Sequence, residues 1–109
     1  MRISADATIA REKLTEYLLR FRDKDDKSKF LGLLGFTLAN SNELETAIRA
    51  TTAANDAICD RETRFGSFYV VHGLLAGPLG SRAVVIIWLN RGVEAYSFVT
   101  LYPDKEQSR

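Results

Sequence analysis

The sequence contains little cysteine, proline or histidine, and it has no long apolar run. Of its 109 residues, one is cysteine, two are proline and one is histidine. The single Cys59 excludes an internal disulfide and favours a reducing cytoplasm as the location. The longest apolar run, AVVIIWL, has seven residues. It is too short for a membrane-spanning helix, which needs about 20 residues.

The charge balance and the absence of known motifs exclude several classes of protein. Fifteen basic residues offset fourteen acidic ones and leave a net charge of +1. This balance gives no bulk electrostatic argument for a dedicated nucleic-acid or membrane-surface binder. The sequence has no nucleophile elbow, Walker loop, dinucleotide-binding glycine pattern, CxxC pair or HExxH motif. Because no second histidine or cysteine stands at ligand spacing, we expect no metal and no cofactor.

The first half of the chain has the periodicity of helices. Apolar residues recur at helical spacing from residue 6 to about residue 22, and the polar loop RDKDDKSK follows. In that loop, Asp26 or Ser28 is available to cap a second helix, which carries residues 30–38. A third helix is predicted to begin at a capping box of Asn40 and Glu43 and to run to about Cys59.

The second half changes to the period of two that is typical of strands. The segments SFYVVHGLL, RAVVIIWLN and EAYSFVTLY are rich in β-branched and aromatic residues, and turn residues separate them. The middle segment is apolar on both faces, which predicts a central strand. The whole pattern predicts one α+β domain, with a core at about 6–103 and a flexible tail at 104–109. About three N-terminal helices are predicted to pack on one face of an antiparallel meander of three to four strands.

His72, the only histidine, is the first candidate for chemistry. Histidine is the residue type whose unperturbed side chain titrates near neutrality, which suits a general acid or base. A histidine that is hydrogen-bonded at the edge of the core is the alternative interpretation. Lys27 and Lys29 stand at the predicted start of the second helix, where backbone N–H groups favour an anion. A solvated loop of alternating charges explains these lysines equally.

Thr100 and Tyr102 lie two residues apart in the last predicted strand. Strict alternation predicts that they share one face with Tyr96 and Phe98. Their hydroxyls suit the binding of a phosphate or the orientation of a substrate, whereas β-propensity alone explains both residues without function. Arg82, at one end of the middle strand, is a candidate for contact with an anion.

Six short segments together carry a resemblance to a known family. They are KLTEYLL, KSKFLGLLGFT, the helix around LETAI, FGSFYVVHG, GPLGSRAVVIIWL and FVTLYP. In these segments the chain resembles an uncharacterised family of small bacterial proteins that are similar to toxin modules. Members are encoded beside a small partner or form the C-terminal domain of larger secreted toxins. Their layout is similar to that of barnase, EndoU, colicin and RelE-like ribonucleases, which need no metal.

The resemblance implies a ribonuclease whose substrate is RNA and whose partner is a small antitoxin or immunity protein. It implies catalytic roles for Lys29, His72, Thr100 and Tyr102, and Arg82 is the candidate for a second, substrate-binding cation. Such a site activates the RNA 2′-hydroxyl and offsets the charge that develops on the phosphate. Two positions depart from the family pattern: the loop before the lysine has no histidine, and Val85 stands where an arginine is common.

A second hypothesis belongs to a different class of protein. In it the chain is a non-catalytic module that binds a partner protein or a second copy of itself, as a homodimer. The near-neutral charge, the glycine-containing second helix and the thin apolar face of the third helix fit this hypothesis. A small-ligand binding domain is a third hypothesis, which no motif supports.

Overall fold

A computed structural model describes residues 1–19, 27–92 and 95–104 of the chain. Helical segments come first: a π-helical stretch at Lys13–Leu18, α1 at Ser28–Leu33, a 3₁₀ turn at Leu38–Asn40 and α2 at Ser41–Ala54. Four strands follow: β1 at Ala57–Thr63, β2 at Gly66–Gly77, β3 at Gly80–Asn90 and β4 at Tyr96–Pro103. The strands pair in chain order as an antiparallel meander, which confirms the predicted α+β class. Within the described ranges, no helix has the length and apolar character to cross a membrane.

The first helices are shorter than the periodicity predicts. The first helix is predicted to begin near residue 6, but residues 7–10 are not helical, and Thr8 forms a parallel bridge with Ser97 of β4. The predicted end of that helix at residues 20–22, and the loop to Asp26, lie outside the described residues. The cap position of α1 falls on Lys27, not on Asp26 or Ser28.

A glycine cap ends α1 and explains why the second predicted helix stops before Leu38. Gly35 takes a left-handed φ of +96°. The Phe36 N–H donates to the Leu31 carbonyl at 3.0 Å, which is the pattern of a Schellman motif. Phe36 then turns into the core, where it is buried. The helix therefore cannot continue through the glycine.

The predicted capping box of Asn40 and Glu43 is wrong. The Asn40 side chain does not cap α2. It accepts a hydrogen bond from the Thr37 N–H at 2.6 Å and donates to the Gly35 carbonyl at 2.8 Å. The amide is therefore used by the preceding 3₁₀ turn, which Thr37 caps.

β1 is the strand that the periodicity did not predict. The third helix is predicted to run to about Cys59, but Asn55 is already extended and β1 begins at Ala57. Only the first residue of β1 is buried, because the strand lies at the edge of the sheet and is mostly polar. Such a strand has no alternating apolar pattern that a sequence could reveal.

The core includes one face of the sheet, here called the inner face, and apolar residues of the helical segments. The inner-face side chains in the core are Val71, Leu75, Val84, Ile86, Trp88, Phe98 and Leu101. They form one buried cluster with apolar residues of the helical half, chiefly Leu14, Leu18, Leu31, Leu44 and Ile48. The opposite face, here called the outer face, carries the alternating residues of the same strands, including His72, Val85 and Tyr102.

A β-bulge at Val99 decides which face the hydroxyls of β4 occupy. Phe98 and Thr100 pair with consecutive residues of β3, so Val99 has no partner in the register. Phe98 lies in the core, whereas Thr100 and Tyr102 belong to the outer face. The prediction that Tyr96 and Phe98 share the face of these two hydroxyls is wrong. Strict alternation fails across the extra residue.

The N-terminal segment, residues 1–9, crosses the sheet from one edge strand to the other. The Met1 carbonyl accepts a hydrogen bond from the Ala57 N–H of β1 at 2.6 Å. At the other edge, the Thr8 N–H donates to the Tyr96 carbonyl at 2.9 Å, and the Phe98 N–H donates to the Thr8 carbonyl at 2.8 Å. The segment therefore ties β1 to β4.

Arg49 of α2 holds the middle of this segment, so we expect Arg49→Met to destabilise the fold. Its guanidinium donates to the carbonyls of Ala5 and Ala7 at 2.9 and 2.8 Å and pairs with Glu45 at 3.1 Å. Loss of these charge-assisted bonds is expected to lower the free energy of unfolding by about 1–3 kcal/mol, measured by urea denaturation. The exposed Arg91→Met is the control. Equal urea midpoints for both variants would contradict this role.

Candidate functional site

A cavity of about 880 Å³ lies beside α2 at the free edge of β2. β1 pairs with β2 only as far as Val71, so from His72 onward no strand covers this edge. Small residues of α2 line one wall of the cavity. The charged or titratable residues of the lining are His72, Arg82 and Asp104.

His72 and Asp104 form a hydrogen-bonded pair at this cavity. The distance from His72 Nδ1 to Asp104 Oδ2 is 3.0 Å. The Asp104 side chain is 7% exposed and the His72 side chain is 54% exposed. A carboxylate at Nδ1 favours the tautomer with its hydrogen there, which leaves Nε2 to take up or release a proton. The pair is therefore oriented for acid–base chemistry.

Asp104 is the residue of the candidate site that the sequence interpretation missed. The sequence assigns it to a flexible tail at 104–109, but Asp104 is buried, and its N–H donates to the Ala83 carbonyl at 2.9 Å. The rest of that tail lies outside the described residues. The available signal is position: Asp104 continues the alternation of Thr100 and Tyr102, directly after the last strand.

Tyr102 lies in the same row of the outer face as His72. Val85 of β3 pairs with His72 on one side and with Tyr102 on the other. Two strand spacings put the Cα atoms of His72 and Tyr102 about 10 Å apart. Tyr102 is 44% exposed, whereas Val85 between them is buried. Both polar side chains therefore reach solvent on one face.

Thr100 belongs to a second group, here called the lysine cluster, with Tyr17 and Lys27. The Lys27 ammonium donates to Thr100 Oγ1 and to the Tyr17 hydroxyl, both at 3.0 Å. It also stands 5.0 Å from the centroid of the Tyr17 ring. The structure thus brings Thr100 to Lys27. A second cavity, of about 410 Å³, is lined in part by Tyr17 and Thr100. Lys29, the lysine predicted at the site, is exposed on α1 and lines neither this cavity nor the one at His72.

Arg82 lines the cavity of His72, but its guanidinium contacts α1 and not His72. The guanidinium carbon lies 5.5 Å from the centroid of the Phe30 ring of α1, which is a cation–π contact. Its partner in the register is Leu75, a core residue of the inner face. The guanidinium therefore lies toward α1, whereas the imidazole lies on the outer face.

The described residues offer acid–base chemistry more readily than metal chemistry. In the part of the chain that the structure describes, no group of three or more His, Cys, Asp and Glu side chains could hold a metal ion. The arrangement holds one oriented imidazole, a tyrosine on the same face and a lysine bonded to two hydroxyls. These groups can move a proton and bind an anion.

Comparison with known proteins gives one match. No curated protein and no solved structure matches the chain. A family model described as "Domain of unknown function (DUF6883)" matches residues 4–105. The match includes His72, Asp104 and the whole lysine cluster. The chain therefore belongs to the DUF6883 family of domains of unknown function.

Proposed function

We propose that the chain is a small ribonuclease of bacterial toxin type that works without a metal, with His72 as its general base and acid. The observation that carries this proposal is the pairing of the exposed His72 imidazole with the buried Asp104 carboxylate. An imidazole held through Nδ1 presents a single nitrogen to a substrate in a fixed direction, as acid–base catalysis requires.

The proposed reaction is an internal transfer within the RNA backbone. His72 Nε2 takes the proton of a 2′-hydroxyl, and the 2′-oxygen forms a bond to the adjacent phosphorus. The bond from phosphorus to the 5′-oxygen breaks, and that oxygen leaves with the proton that His72 took up. The products are a 2′,3′-cyclic phosphate and a new 5′-hydroxyl. Tyr102, in the same row of the outer face, is suited to donate a hydrogen bond to the phosphate.

The outer face has features that suit a single-stranded substrate. In this proposal three helices pack on the inner face and leave the outer face to RNA. Phe68 and Tyr102 offer aromatic rings for base stacking, and the Arg61 guanidinium lies 4.8 Å from the centroid of the Phe68 ring. Proteins that bind single strands combine stacking on aromatic side chains with nearby positive charges.

The biological setting of the proposal comes from the resemblance found in the sequence. Toxin modules of that kind are encoded beside a small antitoxin or immunity protein, which would be the partner of this chain. The single exposed cysteine is compatible with action in a reducing cytoplasm.

The proposal predicts cleavage of RNA but not of DNA. Purified protein is incubated with a single-stranded RNA oligonucleotide and with its all-deoxy counterpart, each with and without excess EDTA. We expect only the RNA to be cut, with 2′,3′-cyclic phosphate ends identified by mass spectrometry, because DNA lacks the attacking hydroxyl. Intact RNA, or equal cutting of both strands, contradicts the proposal. Cleavage that EDTA abolishes contradicts metal independence.

A second candidate function is partner binding through the outer face. Large apolar side chains are exposed there: Ile58 and Leu74 are 64% and 65% exposed. Both side chains lie on the outer face, and exposed apolar surface marks protein interfaces in many soluble proteins. Sedimentation of the chain, alone and mixed with the product of the neighbouring gene, distinguishes the two functions. A species of 12.2 kDa that the neighbour leaves unchanged contradicts this second function.

A further inference from the structure

We propose that the fold binds one water molecule in a small pocket where α2, β3 and the N-terminal segment meet, here called the Trp88 pocket. Its volume is about 10 Å³, and Ser4, Ala5, Thr52 and Trp88 are among the residues that line it. The Trp88 pocket shares no residue with the cavity at His72. The inference therefore does not rest on the proposed ribonuclease function.

The first argument is the indole of Trp88. The side chain is 1% exposed, and its Nε1–H is a donor without acceptor capacity. No described residue accepts a hydrogen bond from this N–H. A buried donor that is left unpaired loses its hydration without compensation, which destabilises the fold. An acceptor in the Trp88 pocket would remove that cost.

The second argument is the hydroxyl of Thr52, a buried residue that lines the same pocket. In a helix, a threonine hydroxyl can donate to the carbonyl one turn earlier, as Thr46 of α2 does to Asn42 at 3.0 Å. The Thr52 hydroxyl has neither this bond nor another partner among the described residues. One small polar molecule in the pocket would serve both the hydroxyl and the indole.

The third argument is the size of the pocket. A volume of about 10 Å³ is close to the smallest that holds a water, and it excludes larger ligands. Buried waters make about three hydrogen bonds. The proposed water accepts from Trp88 Nε1, donates one proton to Thr52 Oγ1 and donates the other to a backbone carbonyl of Ser4 or Ala5. Water is the molecule whose size and hydrogen-bonding capacity match these partners.

The proposed water has a structural role at the N-terminal segment. Arg49 also lines the pocket, and it donates to the carbonyls of Ala5 and Ala7. The water would add a second polar link, which joins the same segment to the indole in the core. The docking of the segment would then depend on the water as well as on Arg49.

The first test observes the water directly. Water–protein NOE and ROE spectra are recorded on the full chain with ¹⁵N-labelled tryptophan. Because Trp88 is the only tryptophan, its Hε1 signal is unambiguous. We expect a cross-peak from Hε1 to water with the sign of direct contact and not that of chemical exchange.

The competing account of the indole is a contact with Phe98. The two rings pack edge to face with their centroids 5.8 Å apart, and an N–H directed at a ring face is a weak hydrogen bond. An upfield ring-current shift of Hε1 in place of the cross-peak assigns the N–H to Phe98. Absence of the cross-peak overturns the proposed water whether or not that shift is seen.

The second test compares Thr52→Val with Thr46→Val by thermal melting. Both variants replace a hydroxyl of α2 by a methyl group, but Thr46 is exposed and does not line the pocket. If the water is bound, Thr52→Val removes one of its partners, so we expect the melting temperature to lie about 4 °C below that of Thr46→Val. If the pocket is dry, the same variant removes an unpaired buried hydroxyl and the melting temperature rises. A melting temperature equal to or above that of Thr46→Val overturns the bond to Thr52.

The inference and the proposed function fail in different ways. Uncut RNA contradicts the ribonuclease and leaves the water standing. A missing cross-peak at Hε1 contradicts the water and leaves the ribonuclease standing.

Discussion

Substitution of His72 by asparagine is expected to slow RNA cleavage by at least about 100-fold. The asparagine amide lies near the position of Nδ1 and can still donate to Asp104, but it cannot take up a proton at neutral pH. Because the His72 side chain is 54% exposed, little packing is lost. The measurement is the initial rate of RNA cleavage at saturating substrate, with the melting temperature of each variant beside it.

The control for this variant is Phe65→Asn in the turn between β1 and β2. Phe65 is 72% exposed and lines neither cavity described above. The Phe65→Asn variant introduces the same new side chain at a similarly exposed position. Its rate of RNA cleavage should equal that of the wild type. A His72→Asn protein that melts like the wild type and cleaves RNA at the same rate would remove His72 from the mechanism.

Substitution of Gly66 by alanine is expected to cost a large amount of folding stability. Gly66 has a φ of +136°, a conformation that residues with a Cβ rarely adopt. A Cβ at this position would lie 2.3 Å from the Asn90 carbonyl oxygen, a backbone atom of β3 that cannot move alone. Strain and overlap together should lower the free energy of unfolding by about 3 kcal/mol or more. The melting temperature should fall by more than about 10 °C.

Gly80→Ala is the matched control at the other hairpin of the sheet. A Cβ on Gly80 meets no atom within 4 Å, and its φ is not in the left-handed region. We expect its free energy of unfolding to stay within about 0.5 kcal/mol of wild type. Calorimetry of both variants checks the pair. Equal melting temperatures for Gly66→Ala and Gly80→Ala would contradict the strand register at Asn90.

The order of elements could be predicted because β2 and β3 carry strong patterns. β3 is apolar on both faces, and it is central, with Val85 buried even on the outer face. The bulge at Val99 was not predictable in the same way, since valine suits a regular strand as well as a bulge. A bulge is a property of the pairing between two strands, which the local pattern of one strand does not record.

The residue types of the candidate site were visible in the sequence, but their pairing was not. His72 and Asp104 belong to different strands or strand ends and meet only once the meander has formed. Lys27 and Lys29 are two residues apart, and the phase of a six-residue helix decides which one points at Thr100. Both lysines fit the same charged loop equally well in the sequence. Only the tertiary structure therefore decides that phase.

The N-terminal segment that ties β1 to β4 also bears on the order in which the molecule folds. Its contacts with β4 join residues from nearly opposite ends of the chain. Loop closure over such a distance costs entropy before any contact offsets it, so these contacts form late. Until the N-terminal segment docks, the edges at Ala57 and at Tyr96 to Phe98 are open to pairing with other chains, which is a route to aggregation. We therefore expect residues synthesised before the sheet to join it last and to cover part of both of its edges.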